Sequence, residues 1–359
     1  LVAQVVSGER VTLRGDSLNW AAPFNITNTG GFTFWSGSGT LTSDTGNFGH
    51  VTNLDYFKFN AVPSSFTWGS SSHTQSVFLS PTHNPTLTVA GPISIHGGDI
   101  TLNANLSSSA SGAGIQLKAS GSIVSNANRT LQSHGGAITL WSDSDNSGHG
   151  FILLNEDGTL DSRTQADRTA GTHTTGGGAI TLAGGADNGS GAPAGYATAT
   201  SGTSDRGGIN FGDQTTSGHS NNTQIFSGGG NVTLKGKSTH SMMGVNWVDG
   251  GTVDAGSTGL IAIDGVNTHI GHGVEIGSWN NGGTTVLRSG GGSASSAAIS
   301  VTGQTAATGG NQGVQSVNLV AQSTGSGGIT LAGSVGGGTG KGVLGHMDLL
   351  ATSGAIAVD

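Results

Sequence analysis

The sequence predicts an all-β protein whose fold is a right-handed parallel β-helix, or β-solenoid, and three observations predict it. Glycine supplies 67 of 359 residues and charged residues only 9%, against usual values of ~7% and ~25%. Apolar residues occur in short Val/Ile/Leu triplets, which a disordered chain lacks. One phrase keeps returning, Gly-Gly-x followed by apolar-x-apolar and a small or polar turn, as expected of a repeat architecture.

The repeats vary in spacing. The clearest copies lie in residues 97–104, 135–142, 177–184, 229–236 and 327–333, and weaker copies lie in 112–119, 207–213, 258–265, 297–303 and 316–322. The interval from Ile180 to Val232 is clearly longer than the interval from Ile100 to Ile138. Such variation indicates strands of fixed length joined by turns of variable length, with two or three strands per coil. At roughly 20–25 residues per coil, the rod would be about 70–85 Å long.

Within each triplet, side chains alternate between the two sides of a strand. We therefore expect Ile100 and Leu102 to point into the core and Thr101 to point outward. The same alternation places four further threonines outward: Thr139, Thr181, Thr233 and Thr330. Glycines flank the strands because the corners of a solenoid need sharp turns.

Residues 1–92 differ in composition from residues 93–359. They hold five of the six prolines and 12 of the 19 aromatic residues, yet strand-like alternation continues. We predict a solenoid segment with larger side chains, with a hairpin outside the helix around 45–80. An independent cap or lectin-like module is the alternative. Residues 93–359 are predicted to be a solenoid of degenerate GGxITLxG repeats, continuous with the first segment.

Charge and composition exclude several classes of function. The net charge of −8 argues against a nucleic-acid partner, which needs a basic face. No apolar run reaches the ~18 residues of a transmembrane helix. Without cysteine, the chain has neither disulfides nor thiolate chemistry. The first residues show no basic and apolar regions of a signal peptide, so we expect that any such segment has been removed.

One segment carries a family resemblance. Residues 89–126, VAGPISIHGGDITLNANLSSSASGAGIQLKASGSIVSN, resemble the repeats of filamentous-haemagglutinin-type exoproteins, the large bacterial adhesins exported by two-partner secretion. The later repeats extend the resemblance over most of 89–359. It implies a right-handed parallel β-helix, an extracellular or bacterial cell-surface location, and a role in adhesion, aggregation or biofilm formation.

The resemblance brings no catalytic residues. The family's N-terminal secretion module is not recognisable in this chain, so we expect an interior or C-terminal stretch of a longer protein, or a processed filament unit. The final residues, 353–359, resemble half of another repeat. An uncapped end exposes a strand edge that can template association.

Acidic residues are the candidates for an enzyme: Asp143, Asp145, Glu156, Asp157 and Asp161. Paired carboxylates act as general acid and base in polysaccharide-cleaving enzymes. Alternatively, Ser-Asp-Ser-Asp-Asn (142–146) is a turn whose side chains cap their own backbone. Because so few charges are present to build a site, we predict no enzymatic activity.

His269 and His272 are a weak metal candidate. They lie three residues apart without a third ligand at suitable spacing, so we predict turn histidines. The calcium-binding nonapeptide of other solenoids is absent. We predict no catalytic, cofactor-binding or metal site and no cofactor.

The outward threonines suggest an ice-binding face, but such a face needs one regular spacing. The repeat spacing is irregular, and other outward positions hold Gln116, Asn210, Ala262 and Ser300. The aromatic residues between 20 and 78 would stack on sugars if exposed, although large aromatics at strand spacing more often form core.

The predicted function is structural and adhesive: a rod-forming segment or filament subunit of a large secreted exoprotein. The predicted partners are other copies of the chain and a host or neighbouring-cell surface, including its glycans. A carbohydrate-active β-helix enzyme is the alternative, and an ice- or glycan-binding solenoid is the second alternative.

Overall fold

The computed structural model describes residues 11–14, 24–26, 30–35, 57–71, 73–80, 85–201, 206–212, 222–248, 250–277, 283–306, 309–337 and 339–359. The strands before the helix are β1 (Val11–Arg14), β2 (Phe24–Ile26), β3 (Gly31–Trp35), β4 (Phe57–Phe59), β5 (Ser65–Trp68), β6 (Val77–Leu79), β7 (Thr86–Val89), β8 (Ile93–Gly97), β9 (Ile100–Leu102), β10 (Asn105–Ser111), β11 (Ile115–Ala119), β12 (Ile123–Ser125), β13 (Thr130–His134), β14 (Ile138–Ser142), β15 (Ile152–Leu154) and β16 (Thr159–Asp161). The short helix α1 spans Gln165–Ala170. The strands after it are β17 (Ile180–Asp187), β18 (Pro193–Gly195), β19 (Ala197–Ala199), β20 (Ile209–Phe211), β21 (Thr223–Phe226), β22 (Val232–Ser238), β23 (Val245–Trp247), β24 (Gly251–Asp254), β25 (Ile261–Asn267), β26 (Val274–Ile276), β27 (Thr285–Ser289), β28 (Ala297–Thr305), β29 (Val314–Ser323), β30 (Gly328–Val335), β31 (Val343–Ala351) and β32 (Ile356–Val358).

Apart from β2 and β4, which form a separate two-stranded parallel sheet, the described strands stack into three faces. The first face is a 14-stranded sheet in the order β1-β3-β5-β8-β11-β14-β17-β22-β25-β28-β30-β32, with β18 and β19 beside it. A 16-stranded sheet holds the other two faces. The second face contains β6, β9, β12, β15, β20, β23 and β26, and the third contains β7, β10, β13, β16, β21, β24 and β27. They meet in β29, where Val314–Ser316 pair with β26 and Leu319–Ser323 pair with β27.

Each coil therefore crosses the first, second and third faces and returns to the first face one rung further along. Pairing is parallel between successive coils, and the described antiparallel pairs are confined to the β17–β18 hairpin and two isolated bridges. The all-β parallel β-solenoid predicted from the sequence is confirmed, with three strands per coil.

Coils of different length share one register. Ile115 pairs with Ile138, Ile138 pairs with Ile180, and Ile180 pairs with Val232, although the interval in sequence grows at each step. The extra residues lie between the faces, for example in the segment that contains α1. The predicted variation in turn length is confirmed, whereas the length of the first-face strands is not fixed, since β11 has five residues and β28 has nine.

The repeat that contains Ile100 lies on a different face from the other clear copies of the phrase. Ile100 lies in β9 on the second face, whereas Ile138 and Ile180 are first-face partners. The interval from Ile100 to Ile138 is therefore not one coil, and the first-face partner that precedes Ile138 is Ile115. Thr101 belongs to the second face for the same reason.

The rod is shorter than predicted. Twelve strands follow one another along the first face, which at ~4.8 Å per rung corresponds to about 53 Å rather than about 70–85 Å. The difference arises because several coils are much longer than the roughly 20–25 residues of a short repeat.

Five strands of residues 1–92, namely β1, β3, β5, β6 and β7, belong to the long sheets of the solenoid. β5 pairs in parallel with β3 and β8, and β6 pairs in parallel with β9. The described residues of the expected hairpin, 57–71 and 73–80, thus contribute parallel strands and not a hairpin. Residues 45–56 of that hairpin lie outside the described residues. The β7–β10 pairing also crosses residue 92.

One apolar core runs through the coils. Inward positions on the first face, such as Ile115, Leu140, Ile180 and Leu234, are at most 1% exposed and belong to a single cluster. Burying one Leu or Ile side chain stabilises a fold by roughly 1.5–3 kcal/mol. Since every coil adds inward side chains to the same cluster, the core extends as the coils stack.

A column of glycines lines the corner between the first and second faces in the later coils. Gly236, Gly265, Gly303 and Gly333 are register partners on the first face. Each faces a glycine that precedes the second face, namely Gly244, Gly273, Gly313 and Gly342. A Cβ added at Gly265 would lie 2.2 Å from the carbonyl oxygen of Gly273. We call this column the glycine corner.

Beyond the glycine corner the chain leaves the core and returns. The first-face strands continue through Ser238, Asn267 and Thr305, which stack in register and are buried. The Nδ2 group of Asn267 donates a hydrogen bond to the carbonyl oxygen of His240 at 3.0 Å, and the Thr305 hydroxyl donates one to Gly271 at 2.7 Å. A side arm with a polar interior is thereby fixed to the solenoid.

Candidate functional site

The last described coil of the solenoid carries the main candidate surface. Five inward side chains of the last coil define it, and we call it the end surface: Val343, Met347, Leu349, Ile356 and Val358. Their partners one coil earlier are buried inside the core. The five side chains of the end surface pack against the preceding coil on one side, and no described coil covers their other side.

Exposure changes sharply over a single coil. Ile329 and Leu331 on β30 are 0% exposed, whereas their register partners Ile356 and Val358 on β32 are 45% and 49% exposed. Leu350, an outward residue of β31, is 62% exposed. Clustered exposed apolar side chains of this kind commonly mark interaction sites.

The backbone at this end is open as well. Within the described residues, β31 pairs only with β29, and β32 pairs only with β30. The outer edge of each strand therefore presents unpaired N–H and C=O groups, which is the template for pairing with another strand.

Asp143 and Asp145 occupy the turn after β14. The Oδ1 atom of Asp143 accepts hydrogen bonds from the backbone N–H groups of Gly148 at 2.9 Å and His149 at 3.2 Å. Burial raises the pKa of Asp143. Asp145 accepts a hydrogen bond from the N–H of Ser147 at 3.2 Å. Both carboxylates cap their own turn, as the alternative interpretation of this segment proposed.

The other acidic candidates lie elsewhere. Glu156 and Asp157 are in the turn between β15 and β16, where Asp157 accepts a hydrogen bond from the N–H of Asn222 at 3.1 Å. Asp161 ends β16, and its carboxylate accepts two hydrogen bonds from the guanidinium group of Arg163, at 3.0 and 2.8 Å, and one from the Arg163 backbone N–H at 3.0 Å. The acidic candidates thus fall in three separate places on the coil, and each place has its own hydrogen-bonding role.

The two histidines also have separate environments. His269 is exposed, while the Nδ1 atom of His272 accepts a hydrogen bond from the N–H of Gln312 at 2.9 Å. Burial lowers the pKa of His272. In the part of the chain that the structure describes, no three His, Cys, Asp or Glu side chains are grouped to hold a metal.

Three outward threonines of the first face lie on successive rungs of one column, which continues through Ala262 and Ser300 to Thr330. Thr139, Thr181 and Thr233 are register partners and are half-buried. The column stays in register across coils of unequal length, so irregular spacing in the sequence is the wrong argument against a regular array. Asn210, by contrast, lies on the second face.

The neighbouring outward column of the first face is chemically mixed. Lys118 pairs with Trp141, which pairs with Ala183, and Lys235 pairs with Asp264. The first face therefore alternates a threonine-rich column with a column that contains both charges and a tryptophan.

The aromatic residues of the early coils contribute to the core. Phe32, Phe66 and Trp68 are fully buried, and the rings of Phe32 and Phe66 stack at a centroid distance of 5.5 Å. Phe78 is 41% exposed. The core interpretation is confirmed for the three buried rings, and the Trp20 and Trp35 side chains lie outside the described residues.

Two features were missed in the sequence. The glycine corner has a local signal, a glycine four residues after the first inward residue of a strand and a Gly-Val pair a few residues later, as in Gly265, Gly273 and Val274. The second feature, the burial of Glu275 on the outside of the second face, has no local signal, because exposure depends on what lies over the strand.

The fold defines the class of the chain as a parallel β-solenoid. No family model, curated protein or solved structure matches it. Over the described residues, none of the helical structure is long and apolar enough to cross a membrane.

Proposed function

We propose that the chain is a structural and adhesive surface protein: a rod-forming segment or filament subunit of a large secreted exoprotein that acts in cell adhesion, aggregation or biofilm formation. The rod extends when another parallel coil stacks on the end surface. In the purified chain, that coil comes from a second copy.

The half-exposed core at the end surface is the observation that carries this proposal. Ile356 and Val358 lie directly above buried partners, so a further coil would bury them as Ile329 and Leu331 are buried. The free edges of β31 and β32 would pair with that coil at the same time. Apolar burial and strand pairing therefore both favour the stacking of a further parallel coil on the end surface.

Several observations support a structural role over the alternatives. The acidic candidates for an enzyme cap turns or bind arginine in three separate places. The outward threonine column of the first face adjoins a charged column, which weakens the case for an ice-binding face. The resemblance of residues 89–126 to haemagglutinin-type repeats adds the bacterial cell surface as the location and cell-surface glycans as partners.

The experiment measures association of the purified chain against concentration by analytical ultracentrifugation and negative-stain electron microscopy. The wild type is expected to form end-to-end rods whose lengths are multiples of about 53 Å. Ile356→Lys and Val358→Lys place a charge on the end surface and are expected to leave single rods, because an unpaired buried charge opposes stacking.

Ala357→Lys is the matched control, since it adds the same charge to the same strand at an outward position. It is expected to associate like the wild type. Circular dichroism of all variants checks that the solenoid is intact. A wild type that stays monomeric at the highest concentration, or Ile356→Lys rods that grow as the wild type does, would overturn the proposal.

A further inference from the structure

A polar column lies on the outer side of the second face. Asn210, Asn246, Glu275 and Gln315 are successive register partners, each at a middle or outward position between inward apolar residues. Side chains at outward positions of a solenoid are normally exposed to solvent. These four residues are only 1%, 1%, 7% and 4% exposed, respectively.

The two asparagines differ in their hydrogen bonding. Asn210 accepts a hydrogen bond from the N–H of Gly207 at 2.7 Å and donates one to the carbonyl oxygen of Gly207 at 2.8 Å. Asn246 is equally buried, but within the described structure neither its Oδ1 nor its Nδ2 atom has a partner. A buried amide without partners is costly, so such groups in native proteins are normally satisfied.

Glu275 lies next to Asn246 and has no counter-charge. Burial raises its pKa to about 7, and no charged side chain among the described residues contributes to that shift. A buried carboxylate without a cationic partner is strongly disfavoured. Either a proton or a bound cation must compensate it.

The chemistry and spacing of these groups fit a hard cation. The available donors are the Glu275 carboxylate and the unpartnered side-chain amide oxygen of Asn246 on the adjacent rung. Calcium binds such oxygens at ~2.3–2.6 Å, so two oxygens on opposite sides of one ion are ~4.6–5.2 Å apart. Adjacent rungs are ~4.8 Å apart. Magnesium, at ~2.0–2.1 Å, would need ~4.0–4.2 Å and octahedral geometry.

We propose that Glu275 binds a calcium ion on the outer side of the second face, together with Asn246 on the adjacent rung. The ion neutralises the carboxylate and gives Asn246 the partner that it lacks. With a single carboxylate, the site belongs to the weak class of extracellular calcium sites, whose dissociation constants are ~10⁻⁴–10⁻³ M. Calcium would then hold two successive coils together.

The experiment titrates chelator-treated chain with CaCl2 at pH 8 by isothermal titration calorimetry and follows the melting temperature in parallel. The wild type is expected to bind one calcium ion and to melt at a higher temperature as calcium is added. Glu275→Gln is expected to weaken binding at least about tenfold and to remove the shift in melting temperature, because the carboxylate is lost. MgCl2 is expected to bind at least about tenfold more weakly than CaCl2.

Glu156→Gln is the matched control, the same chemical change in a turn away from the site, and is expected to bind calcium like the wild type. Asn246→Ala keeps the carboxylate but removes an amide ligand, so it tests the site even if Glu275→Gln fails to fold. The proposal is wrong if the wild type shows neither heat nor stabilisation with calcium. Wild-type affinity in Glu275→Gln or in Asn246→Ala would also refute it, as would equal affinity for magnesium.

Discussion

The early coils, from β8 to β16, and the late coils, from β22 to β32, share a core and differ at one corner. In both regions, alternate residues of the first face are buried Ile, Val or Leu up to the final coil. The early first-face strands have five residues each, whereas the late strands β22, β25, β28 and β30 have seven to nine.

The early and late coils also differ in the residue at the corner between the first and second faces. Four residues after the first inward position, the early coils vary, with Gly97, Ala119 and Ser142, while the late coils have the unbroken glycine corner. In the late coils the strand continues into the side arm, and the returning chain passes directly against it. A solenoid can thus keep its core unchanged while a run of glycine at one corner lets the chain extend outward.

Gly265→Ala should have the largest effect. The new Cβ would lie 2.2 Å from the Gly273 carbonyl oxygen, so the backbone must move, and we expect a loss of roughly 3–5 kcal/mol in the free energy of unfolding. Urea denaturation measures it. Gly309→Ala is the control, because nothing lies within 4 Å of its added Cβ. Equal stability of the two variants would show that the corner is not tightly packed.

Core truncation should cost the same in both regions. Leu117 in an early coil and Ile263 in a late coil are inward residues at most 1% exposed. Leu117→Ala and Ile263→Ala should each lose about 3 kcal/mol, from lost burial and the cavity that remains. The check is urea denaturation of both variants. A near-zero loss for either one would mean that the core is not continuous between the two regions.

In the presence of chelator, the free energy of unfolding should depend on pH because of Glu275, which lies on the outer side of the second face. Burial raises the folded-state pKa of Glu275 from 4.5 to about 7. Between these values the unfolded chain releases the proton first, so stability falls as pH rises from about 4.5 through 7, by about 3 kcal/mol in total. Comparison with Glu275→Gln isolates this contribution. Parallel pH profiles of the two proteins would contradict it.

The outward threonines should have the smallest effect. Thr139 in an early coil and Thr233 in a late coil are half-buried members of one first-face column. Thr139→Val and Thr233→Val should each change stability by less than about 0.5 kcal/mol, because neither contributes to the core. Thermal melting of both variants checks this, and a large loss in one of them would reveal a contact specific to its region.

The sequence was sufficient to predict the fold class and the alternation of inward and outward side chains along each strand. It was not sufficient to assign every strand to a face. Ile100-Thr101-Leu102 and Ile138-Thr139-Leu140 have the same local pattern, because strands on every face alternate in the same way between glycine turns. Only the pairing of whole coils distinguishes them.

For the candidate site, the repeat-like pattern of residues 353–359 predicted a further strand, and β32 lies there and pairs with β30. Glu275 was not found, since alternation predicts the direction of a side chain and not what covers it. The glycine corner was detectable in principle, because both glycines of each pair are close in sequence and recur in successive coils.

The central claim is that residues far apart in the sequence are register partners on successive coils. Chemical cross-linking tests this claim most directly. The chain has no cysteine. Two cysteines can therefore be introduced without any native thiol that would also react with the reagent. Thr139→Cys with Thr181→Cys joins first-face register partners from successive coils, and a bifunctional thiol reagent that spans about one rung, ~4.8 Å, should link them within one chain. Thr101→Cys with Thr139→Cys lies on two different faces and should not be linked. The reverse result would contradict the stacked solenoid.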